Sequence, residues 1–241
     1  MAADLLPSLA AALLFASVHL LGDRLHGFGE RGRNAWHSAA GGIAVAYVFV
    51  HLLPDLAHHQ RALADHVTGP LAALERHVYV VALAGLSIFY GVDAMLRRSS
   101  ERCVEHSPSV FWTHLGVFAL YNVLIGYLLV HRDGGGMGSL LLFVLAMGVH
   151  FLVNDQALRA HHGRLFHARG RWLLGLAPVA GWALGAATEI GAVWLSALFA
   201  LLAGSIVLNV LKEELPGDTE SRFPAFLAGA GGYALLLMIA E

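Results

Sequence analysis

His150, Asn154 and Asp155 stand on adjacent turns of an otherwise apolar stretch, Gly138–Leu158. Residues four apart share one face of a helix, so His150 and Asn154 would meet about 6 Å apart. With the neighbouring carboxylate they offer one nitrogen and several oxygens, a donor set suited to a divalent transition metal. Asn122 occupies a similar depth in the stretch Val110–Val130, with Tyr121 beside it and His114 two turns back. Glu213 and Glu214 end a third stretch, and His51 and Asp55 end a fourth. Ordered by depth, these groups trace a path from His51 and Asp55 through Asn122 and His150 to Asp155 and Glu213. The candidate metal ligands are therefore Asn122, His150, Asn154, Asp155 and Glu213. His51, Asp55 and Glu214 are candidates for the ion's way in or out.

Each group also has a plainer role. An isolated Asn or His in an apolar helix often does no more than hydrogen-bond across helices, for about 0.6 kcal/mol. Asp93 precedes Arg97 by one turn, the spacing of an interfacial ion pair. His19 and Asp23 share that spacing on the first stretch and form a further candidate pair for metal. Fifteen histidines is a high count, with His58, His59 and His66 on one side and His161, His162 and His167 on the other. The second cluster interleaves with Arg159, Arg164, Arg169 and Arg171, a pattern that serves topology and anionic lipid.

The elements that position these groups are set by composition. The chain has 241 residues, of which 57% are hydrophobic and 13% charged, about half the ionic content of a soluble domain. A net charge of −2 gives no electrostatic footprint for nucleic acid, and one cysteine excludes a disulfide framework. A spanning helix needs about 20 mostly apolar residues. Eight stretches qualify or nearly do: Leu5–Leu21, Trp36–Leu53, Val78–Leu96, Val110–Val130, Gly138–Leu158, Trp172–Ala187, Gly191–Leu211 and Phe223–Ala240. The sixth and seventh are parted only around Thr188 and Glu189, which predicts a tight hairpin. Of the 15 basic residues, 12 fall in the loops after stretches 1, 3, 5 and 7. The positive-inside rule then puts those loops in the cytoplasm and both termini outside. Trp36, Trp112 and Trp172 each open a stretch on the cytoplasmic side, as an aromatic belt would. The expectation is an all-α, eight-span integral membrane bundle, one domain over residues 1–241.

Stretches 2 and 7 share a pattern. Gly42 precedes Leu53-Pro54 by the interval at which Gly204 precedes Leu215-Pro216, with His51 and Glu213 each three residues before the proline. The two stretches run in opposite directions, the mark of an inverted repeat of spans 1–3 and 6–8. The alternative is that each proline simply ends its helix.

On these residues the chain resembles the ZIP (Zrt/Irt-like) family of divalent metal transporters. The run Ala40-Gly41-Gly42-Ile43-Ala44-Val45-Ala46 leading to His51-Leu52-Leu53-Pro54-Asp55 is similar to that family's second span, and Gly204 through Glu213-Glu214-Leu215-Pro216 to its seventh. The fourth-span pattern His-Asn-x-x-Glu/Asp-Gly reads Tyr121-Asn122-Val123-Leu124-Ile125-Gly126 here, without the histidine and the carboxylate. The fifth-span pattern His-Glu-x-x-His-Glu reads His150-Phe151-Leu152-Val153-Asn154-Asp155. The resemblance implies transport of zinc, iron or manganese as substrate, with no organic cofactor, through a centre reduced from two metals. The expected surroundings are a bacterial inner (plasma) membrane, with metal ions and lipid as partners and a homodimer as one oligomeric option.

Two other readings compete. A ZIP-fold protein that has lost transport would sense metal or act as a scaffold, which Ile125 in place of a carboxylate favours. An intramembrane zinc hydrolase would draw on His19, Asp23, His37, Ser38 and His150.

Overall fold

A computed structural model describes residues 2–22, 30–64, 77–102, 108–132, 136–214 and 222–240, and all of them belong to helices or short connections. The helices are α1 (Ala2–Leu21), α2 (Glu30–Tyr47), α3 (Leu53–Ala64), α4 (Val78–Arg102), α5 (Pro108–Val130), α6 (Met137–Leu165), α7 (Arg171–Ala187), α8 (Ala192–Asn209) and α9 (Phe223–Ala240). No strand occurs among the described residues. Helices are what this composition dictates, because a chain in hydrocarbon must satisfy its backbone polar groups internally.

Among the described residues, five helical segments are long and apolar enough to cross a membrane: Asn34–Arg61, Val78–Met95, Phe111–Val130, Met137–Arg159 and Ala192–Lys212. Leu5–Leu21 and Phe223–Ile239 are shorter apolar helices. The surface is compatible with lipid as solvent. Met238, Ile239 and Trp194 are more than 70% exposed, while Asn122, His150 and Asp155 are about 1% exposed. Apolar side chains face outward and ionisable ones inward, as suits a multi-pass protein in lipid.

Glycines set how closely the helices approach. Gly126 of α5 lies against the Pro178 carbonyl of α7, and Gly181 of α7 lies against the Val123 carbonyl of α5. A Cβ at either position would strike backbone. The same reciprocal contact joins α2 to α9 through Gly42 and Gly229, and α4 to α8 through Gly85 and Gly204. Close approach through small residues is the usual route to helix association in lipid.

Among the described residues, three π-helical stretches interrupt the regular helices: Val48–Leu52, Phe166–Gly170 and Val210–Glu214. The first ends beside Pro54, which has no N–H to give, and there the Leu53 N–H reaches back five residues to the Val48 carbonyl. The predicted second span thus runs on, through this stretch, into α3. Between the fifth and sixth stretches the expected loop is reduced to a break at Gly163. Gly163, at φ +35°, is non-helical and turns the chain between two helical segments, a conformation that favours glycine. Where a tight hairpin is expected near Thr188, α7 ends at an extended Thr188 and α8 begins at Ala192, but α7 packs mainly on α5 and α1 and α8 mainly on α4.

Candidate functional site

Four helices bring seven polar side chains into one buried layer: His19 from α1, Tyr121 and Asn122 from α5, His150, Asn154 and Asp155 from α6, and Asn209 from α8. Each is 5% exposed or less. Phe151 lies between the two histidines, with ring centroids 4.7 Å from His19 and 6.0 Å from His150.

One half of the layer centres on His19. Its Nδ1 lies 2.9 and 3.0 Å from the two oxygens of Asp155, and its Nε2 lies 3.0 Å from Asn122 Oδ1. Asn122 Nδ2 donates to the Phe118 carbonyl at 2.8 Å, which fixes the amide with its oxygen toward His19. That oxygen only accepts, so His19 Nε2 carries a proton and donates it. The contact between Nδ1 and Asp155 needs a proton of its own, on one partner or the other. The pair therefore holds one proton more than a neutral imidazole and a carboxylate would, and is neutral overall.

The other half centres on His150. Tyr121 Oη lies 2.8 Å from His150 Nε2, and Asn154 Nδ2 lies 2.9 Å from the same nitrogen. Asn209 Nδ2 donates to Asn154 Oδ1 at 2.7 Å, which leaves Asn154 Nδ2 as the group facing His150. An amide donor against Nε2 means that this nitrogen presents its lone pair to the cluster. That lone pair is also what a transition metal would bind.

Four of the five candidate ligands, Asn122, His150, Asn154 and Asp155, are thus within this layer. They are divided between its halves, with Asp155 held by His19 and His150 by the Tyr121 hydroxyl. Among the described residues, no group of three or more His, Cys, Asp or Glu side chains is gathered as a metal cage. The Glu213 and Glu214 side chains lie outside the described residues; their backbone continues α8 as the π stretch Val210–Glu214. The side chain of His114 and all of Asp23 likewise lie outside them. His19 takes its partner from α6, 136 residues away. Asp93 pairs with Lys212 of the π stretch after α8. Ser38, needed by the hydrolase reading, donates to the Asn34 carbonyl and accepts from the Arg222 N–H, both at 2.9 Å.

A cavity of about 400 Å³ opens beyond this layer. His51 and Asp55 line it, 3.5 Å apart, together with Tyr47, His58, His59, His131 and Arg132. Its apolar wall includes Ile125, Met147 and Ile206, each 2% exposed or less. These three lie three or four residues along their helices from Tyr121, His150 and Asn209 respectively. One helical turn of apolar side chains, about 5 Å thick, therefore separates the cavity from the polar layer. His51 and Asp55 are on one side of this plug and the other described candidates are on the other. Arg132 donates through Nη2 to Ser139 Oγ at 2.6 Å, and its guanidinium lies 5.4 Å from the Phe143 ring centre. Burial pushes its pKa down, and the nearby Tyr47 and Asp55 push it back up.

Compared with models of known protein families and with curated protein sequences, the chain matches none.

Proposed function

We propose that this chain is a divergent ZIP-like transporter, not an enzyme, which carries divalent transition-metal ions across a membrane by alternating access. The observation that carries the reading is the buried polar layer. Isolated structural residues would be scattered in depth, but His19, Asn122, His150, Asn154, Asp155 and Asn209 meet at one level on four helices. Ionisable groups at such a depth cost several kcal/mol unless they serve a path or pair with one another. Asp155 and His150 would be the main ligands, with His19 added and the amide oxygens of Asn122 and Asn154 completing the set. Such a set is oxygen-rich with few imidazoles, which suits iron(II) and manganese as well as zinc. The ion must displace His19 from Asp155 and Tyr121 from His150, so binding is weak enough to permit release. Glu213 would receive the ion beyond the layer. Ile125, Met147 and Ile206 would be the closed barrier on the side of His51 and Asp55.

On this reading all eight apolar stretches cross the bilayer, with both termini outside. The 17-residue α7 is roughly 26 Å long, close to the ~30 Å hydrocarbon thickness. The glycine crossings support this, because α7 and α9 pack at backbone contact against the long helices α5 and α2. The distribution of arginine makes the cavity mouth the outer side, in a membrane such as the bacterial inner membrane. Gly42 and Gly204 each sit six residues before a π stretch, at Val48 and Val210, and each stretch leads to a Leu-Pro pair. That match supports an inverted repeat of spans 1–3 and 6–8.

A second reading, a ZIP-fold sensor or scaffold without transport, is favoured by the hydrogen bonds that already satisfy Asp155. Uptake of zinc, iron(II) and manganese into proteoliposomes separates the two. The transporter reading expects metal-dependent uptake that His150→Ala abolishes while the protein stays folded. Uptake unchanged by that substitution removes the site assignment, and a stable protein that neither binds nor moves metal favours the second reading.

A further inference from the structure

The cavity is chemically unlike a basin built to gather cations. Among the described residues that line it, Asp55 is the only carboxylate and Arg132 the only permanent cation. Asp55 has a 47% exposed side chain and faces His51 at 3.5 Å. Arg132 is anchored in the wall by Ser139 and Phe143, near enough to Asp55 for the carboxylate charge to act on it. Between them, the cavity's one carboxylate and its one permanent cation cancel. What it offers instead is nitrogen. His51, His58, His59 and His131 all line it. His131 is stacked on Tyr127 at 4.5 Å and donates from Nδ1 to the Tyr127 carbonyl at 3.2 Å. A neutral imidazole held in that way keeps its Nε2 lone pair for a metal.

Hard dications such as Mg²⁺ and Ca²⁺ are held by six or more oxygens and by negative charge. Zinc, iron(II) and manganese accept imidazole nitrogen as well. We propose that Arg132 is a specificity-determining residue of this cavity: by cancelling the charge of Asp55 it denies hard dications their attraction and leaves imidazole as the only inducement to enter. Arg132 is not a ligand in this account. It acts through the field at Asp55, and the inference rests on the transporter reading for its biological meaning.

The test is competition by Mg²⁺ against Zn²⁺ uptake in proteoliposomes, read as the half-inhibitory Mg²⁺ concentration relative to the Zn²⁺ KM. Restoring one net negative charge in the cavity should lower that ratio about tenfold in Arg132→Gln. Arg132→Lys should behave as the parent, and Asp55→Asn added to Arg132→Gln should abolish the gain in competition. Equal ratios in parent and Arg132→Gln overturn the proposal, as does competition that Asp55→Asn leaves in place. Should Arg132→Gln fail to fold, Arg132→Leu keeps the apolar contact with Phe143 and is held to the same ratio. Binding of Mg²⁺ alone to purified protein, followed by calorimetry, is independent of transport. There Arg132→Gln should gain about tenfold in affinity and lose it again with Asp55→Asn; no gain overturns the proposal. Parent proteoliposomes that take up no metal would end the transporter reading, and the calorimetric arm would still decide the role of Arg132.

Discussion

Replacing His19 by leucine probes the charge state of the polar layer most sharply. His19 and Asp155 have side chains about 1% exposed, and the imidazole bridges Asp155 and Asn122. The substitution leaves a carboxyl group in a dry interior without its partner. Breaking a buried ion pair from one side costs about 3–5 kcal/mol, and the stranded Asn122 oxygen adds about 1 kcal/mol. Replacing both His19 and Asp155 by leucine removes the charge problem altogether, and such swaps are often neutral or stabilising. The expected pattern is thus a His19→Leu protein destabilised by about 4–6 kcal/mol, with Asp155→Leu destabilised less and the double variant close to the parent. Denaturant unfolding of the four proteins in one detergent gives the coupling energy directly. A neutral hydrogen bond between membrane helices averages only about 0.6 kcal/mol. Single effects that add, or a His19→Leu cost of that smaller size, would refute the argument that a charged or proton-sharing pair sits there.

Other consequences follow from packing, the plug and the topology. Gly181→Ala puts a methyl group into the Val123 carbonyl; pushing α5 and α7 apart should cost about 1–3 kcal/mol in the same unfolding assay. Ile125→Glu places a carboxylate one turn from Asn122, where the family pattern has one. Calorimetry should then show at least tenfold tighter zinc binding, and unchanged binding would mean the position is not that of a lost ligand. Cysteines introduced one at a time at the exposed positions Glu189 and Arg222 test orientation, in a background without Cys103. A membrane-impermeant maleimide added outside should label the first and spare the second.

How far the sequence reached depends on whether a feature is local. The helix break at Thr188 and the proximity of His150 to Asn154 follow from length and spacing, and both are present. The argument from buried polar groups picked out Asn122, Asn154 and Asp155 because burying them needs a reason, and all three are in the layer. Partnerships across helices were not legible. Asp23 is the carboxylate that helical spacing offers His19, yet the residue it bonds is Asp155, 136 positions on. Asp93 was matched to Arg97, whose side chain lies outside the described residues; the partner found for it, Lys212, comes from a distant part of the chain. Asn209 was passed over as one amide near the end of an apolar run; its distance of one turn from Glu213 was the only available signal. The break at Gly163 falls within the arginine- and histidine-rich segment that reads as a loop, but its reduction to a single glycine between helices was not legible.

The central claim is that a divalent ion passes through the layer of His19, Asn122, His150, Asn154 and Asp155. A structure determined with Mn²⁺ or Zn²⁺, with anomalous scattering recorded at the metal edge, tests it most directly. The account predicts a peak inside the layer at ~2.0–2.2 Å from an Asp155 oxygen or from His150 Nε2, with His19 turned away from the carboxylate. Metal found only in the cavity beside His51 and Asp55, with the hydrogen bonds of the layer intact, would contradict it.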